Sequence, residues 1–240
     1  MSRITATFEH CKRQARTAFM PFLTAGDPDF ATSLELLKRL PEAGADIIEI
    51  GMPFSDPMAD GPVIQKANQR ALKNRPALTS ILKLVRSFRE HDNSTPIVLM
   101  GYFNPVFIYG PETFARDAAT AGVDGTLIVD LPPEEDGALK PHLDHHAIDA
   151  IRMITPTTDA RRLPTLLEGA GGFLYCVAVA GVTGTTSAKA DVVKSQIATI
   201  RQHNTLPVAI GFGISSAADV QEMGAIAEGV VVGSALVGEM

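Results

Sequence analysis

The sequence predicts one (β/α)8 barrel spanning residues 1–240, with an N-terminal helix on the barrel floor and no full-length helix over the last strand. Three observations predict it. Eight short apolar runs recur along the chain, and each but the last is followed by a stretch of helical periodicity. The runs are apolar throughout rather than alternating, as strands of a parallel sheet covered by helices must be. Several helical stretches close on a glycine set directly before the next run: Glu42-Ala43-Gly44-Ala45-Asp46, Thr120-Ala121-Gly122-Val123-Asp124 and Glu222-Met223-Gly224-Ala225. Each reads as a C-cap feeding a strand. An open doubly wound sheet is the alternative. No Gly-x-Gly-x-x-Gly follows the first strand and no Gly-x-x-x-x-Gly-Lys-Ser/Thr occurs, which argues against it.

Taken in order, residues 1–12 are amphipathic, with Ile4, Phe8 and Cys11 in the helical register that would plug a barrel floor. Strands are expected at 18–24, 46–51, 96–101, 124–129, 147–153, 172–177, 206–211 and 228–233. Helices are expected at 28–43, 62–74, 78–91, 111–121, 134–145, 160–168, 189–203 and 216–223. Thr24-Ala25-Gly26-Asp27-Pro28 reads as a strand-to-helix turn with an Asp cap. Pro111-Glu112 and Pro133-Glu134-Glu135 put proline and acids in a first turn, and Ser215-Ser216 offers a hydroxyl cap. Asn104-Pro105 and the loop after the third strand read as a rigid exposed surface. Only Ser234-Ala235-Leu236-Val237-Gly238-Glu239-Met240 follows the eighth strand, so an exposed apolar seam is expected near strands eight and one.

Apolar residues at 45% and charged residues at 20% fit a folded globular chain and exclude disorder. A formal charge of -6 without a dense Lys/Arg run argues against nucleic acid. Cys11 and Cys176 read as free thiols, and the opening has no apolar signal core, so a cytoplasmic protein is expected. His142, His145 and His146 share a helix with no Cys or Asp cluster near it, and the sequence assigns no metal.

The chemistry concentrates between residues 48 and 62. Glu49 ends an apolar strand, where a carboxylate is costly unless it is paired or has chemistry to do. Asp60 follows in a loop rich in Pro and Gly. Alone it would serve as a loop acid or helix cap; with Glu49 it makes a pair that different surroundings can divide into acid and base. Three late glycine turns, Gly181–Gly184, Gly211–Gly213 and Gly233-Ser234, follow the last three strands and suit an oxyanion held by backbone amides. Between acids and glycines lie Phe22, Leu99, Met100, Tyr102, Leu127, Val129, Met153, Tyr175 and Phe212. Alternate members must be barrel core, and those nearest the strand ends suit a flat apolar group.

These segments resemble the tryptophan synthase alpha subunit. The likeness rests on PFLTAGDP (21–28), E-x-G-x-PFSDP-x-ADGP-x-IQ (49–65), GYxNP (101–105), DLPPEE (130–135), GVTG (181–184), GFGIS (211–215) and GSALV (233–237). It implies a barrel lyase that splits indole-3-glycerol phosphate into indole and glyceraldehyde 3-phosphate without a cofactor. It implies Glu49 as general acid–base, Asp60 at the indole nitrogen and Tyr175 supporting Glu49. Phe22, Leu99, Tyr102, Leu127 and Phe212 would enclose the indole, Gly184, Gly213, Gly233 and Ser234 would hold the phosphate, and Thr183 would belong to a lid at 179–190.

The resemblance further implies an α2β2 complex with a beta subunit that carries pyridoxal phosphate. Asp56-Pro57 and Asn104-Pro105 resemble the surfaces that meet it. Ala178 stands where many relatives have Ser, which implies altered lid anchoring with the chemistry preserved. The family's final helix over strand eight is also missing. Two other readings compete: another phosphate-binding barrel isomerase or synthase of amino-acid biosynthesis, and a non-catalytic subunit that activates a partner.

Overall fold

The structure, a computed structural model, describes residues 1–159, 161–177, 186–211 and 213–240, the side chains of 186–190 excepted. Its strands are β1 (Ala18–Thr24), β2 (Ile48–Gly51), β3 (Ile97–Gly101), β4 (Gly125–Ile128), β5 (Asp149–Ala150), β6 (Arg152–Ile154), β7 (Leu174–Val177), β8 (Val208–Gly211) and β9 (Gly229–Val232). They pair in parallel in the order β5-β4-β3-β2-β1-β9-β8-β7-β6. The run expected as one strand at 147–153 is therefore two pieces that meet at Ile151. β5 pairs with β4, and β6 pairs with β7. Ile151 still donates to Thr126 O at 2.9 Å, so the ring is joined through this residue.

Alternation sorts each strand into an inward and an outward set. Phe22, Val98, Met100, Leu127, Tyr175, Ala209 and Val231 form the interior cluster. Their neighbours Leu23, Ile48, Ile50, Ile97 and Leu99 face outward into a layer with the helices α2 (Phe30–Arg39), α4 (Leu78–Arg89) and α6 (Pro111–Ala121). A second outer layer joins β6–β9 to α8 (Leu163–Leu167), α9 (Thr186–Arg201) and α10 (Ala217–Gly224). The opening helix α1 (Arg3–Arg13) lays Ile4, Phe8 and Cys11 into the interior cluster as expected, with the Phe8 and Phe173 rings 5.8 Å apart.

Several local expectations are corrected. Residues 103–109 are a helix, α5 (Phe103–Tyr109), rather than a loop. Pro105 is compatible because it lies in the first turn, where its missing N–H has no intrahelical partner anyway. The helix expected at 134–145 is a 3₁₀ turn over Pro133–Ala138 followed by α7 (Lys140–His145). The cap of α2 is Asp29, which accepts from Thr32 N at 2.8 Å; Asp27 is buried against Arg70 instead. Gly122 does cap α6 with a left-handed φ of 93°. Gly224 lies inside α10, where Thr17 Oγ1 donates to its carbonyl at 2.7 Å. The expected seam beside α11 (Ser234–Val237) is small. Val230 and Val232 are buried with Phe19 and Ala235 against them, leaving Leu236 and Met240 exposed.

No helix among the described residues is long and apolar enough to cross a membrane. Asp124, directly before β4, ties floor to wall: it accepts from Arg3 at 2.9 Å, from Arg89 at 2.7 Å and from Ile97 N at 2.8 Å. The Arg89–Asp124 pair is almost wholly buried, so removing one partner strands the other. Asp124→Ala should lower the unfolding free energy by about 3 kcal/mol, measured by urea denaturation.

Candidate active site

Glu49 reaches the interior because Ile48 and Ile50 on either side of it face the helices. It is 1% exposed and stands in register with Phe22 of β1. Among the described residues neither carboxyl oxygen has a hydrogen-bond partner. Burial raises its pKa from 4.5 to about 8, so the group is mostly protonated at neutral pH. Tyr175 of β7 lies close by; its hydroxyl is pushed well above 10, first by burial and then by the Glu49 charge. The Tyr175 ring occupies the space where a side chain on residue 211 would stand, since a Cβ there would fall 2.0 Å from the Tyr175 oxygen. Gly211 is therefore required by close approach.

Asp60 arrives from the loop that follows β2 and precedes α3 (Pro62–Leu72). It is not the helix cap, a position taken by Gly61 with Pro62 as the first helical residue. Asn68, one helical turn and more further on, donates Nδ2–H to Asp60 Oδ2 at 2.9 Å. Tyr102, directly after β3, accepts from Ala59 N at 3.0 Å, which sets its hydroxyl beside Asp60. Burial raises the Asp60 pKa, with the Asn68 hydrogen bond and the nearby Tyr102 hydroxyl opposing the shift. Burial also pushes the Tyr102 hydroxyl to about 12.

Both acids line one cavity of about 450 Å³, together with Phe22, Ile64, Met100, Tyr175 and Val231. Its far side is formed by Gly213, Ser215, Gly233 and Ser234. Gly213 has a φ of 75°, a conformation that favours glycine, and Ser234 opens α11. No Lys, Arg or His is among the described lining residues. A cavity of this size with an apolar middle and two polar ends suits a flat apolar group joined to a small anion.

The structure thus brings together Glu49, Asp60, Tyr175, Phe22, Gly213, Gly233 and Ser234. Leu127 lies in the interior cluster and Tyr102 stands behind Asp60, both outside the cavity lining. Leu99 is corrected: it faces the outer layer, and its neighbour Met100 lines the cavity, because one step along a strand changes the face. Thr183, Gly184 and Phe212 lie outside the described residues. Asn68, Ile64 and Val231 were missed as site residues; the inward alternation of β9 would have found Val231. Asp56, Pro57, Asn104 and Pro105 lie on the loop before α3 and on α5, away from the cavity lining. Among the described residues no group of three or more His, Cys, Asp or Glu could hold a metal ion.

Residues 8–240 match the family model described as tryptophan synthase alpha chain. A tryptophan synthase alpha chain from Legionella pneumophila subsp. pneumophila is 39% identical with a TM-score of 0.90, over 100% of this chain and 87% of that one. A structure from Aquifex aeolicus VF5 is 37% identical with a TM-score of 0.91, over 99% and 91%. The aminoacrylate-bound tryptophan synthase from M. tuberculosis gives 32% identity and a TM-score of 0.90, over 99% and 91%. A barrel that sets a buried strand-end acid, a loop acid and late glycine turns around one cavity, matched over this length, belongs to the tryptophan synthase alpha chain family.

Proposed function

We propose that Glu49 and Asp60 divide the proton and charge work of the reaction this chain catalyses, the cleavage of indole-3-glycerol phosphate to indole and glyceraldehyde 3-phosphate in tryptophan biosynthesis. The supporting observation is that the two acids share a cavity with no Lys, Arg or His among its described lining residues, while their surroundings differ. Glu49 has no hydrogen-bond partner among the described residues and is held neutral by burial. Asp60 is half-buried and accepts a hydrogen bond from Asn68, with the Tyr102 hydroxyl nearby.

Cleavage of the bond from indole C3 to the glycerol carbon needs C3 made tetrahedral first. A protonated Glu49 gives its proton to C3, and the ring nitrogen takes positive charge. The resulting carboxylate then accepts the proton of the adjacent glycerol hydroxyl. The C–C electron pair returns to the ring, the carbonyl of the aldehyde forms, and Glu49 ends protonated as it began. Asp60 accepts the indole N–H and stabilises the positive charge that develops there. Tyr175, beside Glu49, keeps the carboxyl on the C3 side. Amides at Gly213 and Gly233 and the start of α11 at Ser234 hold the phosphate, and Phe22, Met100 and Ile64 hold the ring. Thr183, Gly184 and Phe212 are proposed for the same cavity.

Pairing with a beta subunit, as α2β2, is part of the same reading, and any pyridoxal phosphate belongs to that partner. Support comes from exposed apolar side chains beside Asn104-Pro105 and Asp56-Pro57. Phe107 is 62% exposed, Ile108 77% and Met58 82%. The Phe54–Tyr102 ring contact and the Ala59–Tyr102 hydrogen bond join that loop to the start of α5. Exposed apolar side chains clustered this way mark an interaction surface.

Three outcomes test the reading. Glu49→Gln should lower indole release by the purified chain about 10³-fold, and Asp60→Asn by about 10²-fold or more, with the fold kept by circular dichroism. Glu49 also carries a stability signature. Its folded pKa of about 8 lies above the unfolded value of about 4.3, so the native state binds more protons between the two and loses stability as pH rises through that window. Glu49→Gln should therefore melt higher than the parent at pH 8, with the gap closing toward pH 4. Ile108→Asp should weaken beta-subunit binding about tenfold in calorimetry while cleavage by the isolated chain is unchanged.

A further inference from the structure

We propose that Asn68 is a positioning residue for Asp60, a fixed amide donor that sets the orientation and the charge of that carboxyl; the inference rests on the role assigned to Asp60 above. Asn68 is 4% exposed and lies on the inner face of α3 between the buried alanines Ala67 and Ala71. An amide there is costly to bury without partners and is a poor helix former, so packing alone would favour an apolar residue. Its Nδ2–H meets Asp60 Oδ2 at 2.9 Å. The donor assignment follows from chemistry, since a carboxylate offers only acceptors.

The donor is also held still. Two residues further along α3, Arg70 forks onto Asp27 at 2.7 and 2.6 Å, and Asp27 is 0% exposed in the turn after β1. Asn74, just past the helix, donates to Pro28 O at 2.9 Å. α3 is thereby pinned to the β1–α2 turn at its far end while its near end carries Asp60 into the cavity. Tyr102 contacts Asp60 from the β3 side. A carboxylate touched from two elements has its rotation fixed before a substrate arrives.

Among the described residues, the titratable groups that face Asp60 across the cavity are Glu49 of β2 and Tyr175 of β7, and neither supplies positive charge. Asp130 bears on the neighbouring Tyr102 hydroxyl, whose pKa its charge raises. Lys66 of α3 is exposed and Arg70 is engaged by Asp27. The Asn68 amide is accordingly the α3 group that favours the ionised form of Asp60 at the indole nitrogen.

The test is the pH dependence of indole release by the purified chain carrying Asn68→Leu or Asn68→Asp, with Asp60→Asn as control and thermal unfolding alongside. Loss of the donor raises the Asp60 pKa, so the acid limb of kcat/KM should move up by about one unit and activity below it fall about tenfold. The change should lie in kcat more than in KM. Asn68→Asp keeps the side-chain shape and adds a like charge, so its limb should move at least as far, and it decides the question should Asn68→Leu not fold. An acid limb unmoved in the folded variants, with only a lower melting temperature, would overturn the proposal. A fully active Asp60→Asn would instead remove the role of Asp60 itself.

Discussion

A carboxyl buried in a barrel interior, with no cation beside it among the described residues, constrains everything around it. Ionising Glu49 in place would be expensive, so the group stays protonated until a substrate offers it somewhere to put the proton. That requirement explains the apolar company of Phe22, Met100 and Val231. On the proposed mechanism it also accounts for the second acid entering from a loop: Asp60 would have to act as an anion in the same cavity, and a loop position gives it a donor and partial solvent that a strand position would not. With no Lys, Arg or His among the described lining residues, the phosphate site proposed above rests on backbone amides. A nearby Lys or Arg would pull the Glu49 pKa down and remove the acid the reaction needs.

The scaffold serves this division of labour. The floor helix fills the bottom of the ring with Ile4 and Phe8, which leaves the opposite ends of the strands as the open mouth. Around that mouth the first strands and α3 carry the acids, and β7 to β9 carry Tyr175 and the glycine turns. Gly211 shows how tightly the two parts fit, because the Tyr175 ring uses the volume that any other residue at that position would fill.

Much of this was legible in the sequence because burial in a parallel barrel writes itself as unbroken apolar runs, and because Glu49 and Asp60 are conspicuous in theirs. The faces were harder. Leu99 and Met100 are both buried and both apolar, and only strand register tells which one meets the cavity. The helix at Phe103–Tyr109 was hidden by Asn104-Pro105, a pair that also suits a turn. Asp27 looked like a cap because its partner, Arg70, is forty-three residues away and joined only by the fold. The division of one strand at Ile151 has no sequence mark at all, since Ala150, Ile151 and Met153 read as an ordinary apolar run. Asn68 had no local signal either; its meaning comes from the carboxyl that α3 carries at its other end.

The break at Ile151 gives the barrel a grain. One arc runs from β1 to β5 over its own outer layer, and the other from β9 to β6 over a separate one. They meet along the β1–β9 ladder, at Ile151 and on the floor helix. The acids belong to the first arc, the glycines proposed for the anion to the second. A molecule that reaches from one to the other is a strut across both joints, and its binding free energy is added to the cohesion of the ring. On the proposed binding mode the two arcs hold opposite ends of one ligand, with the reacting bond between them.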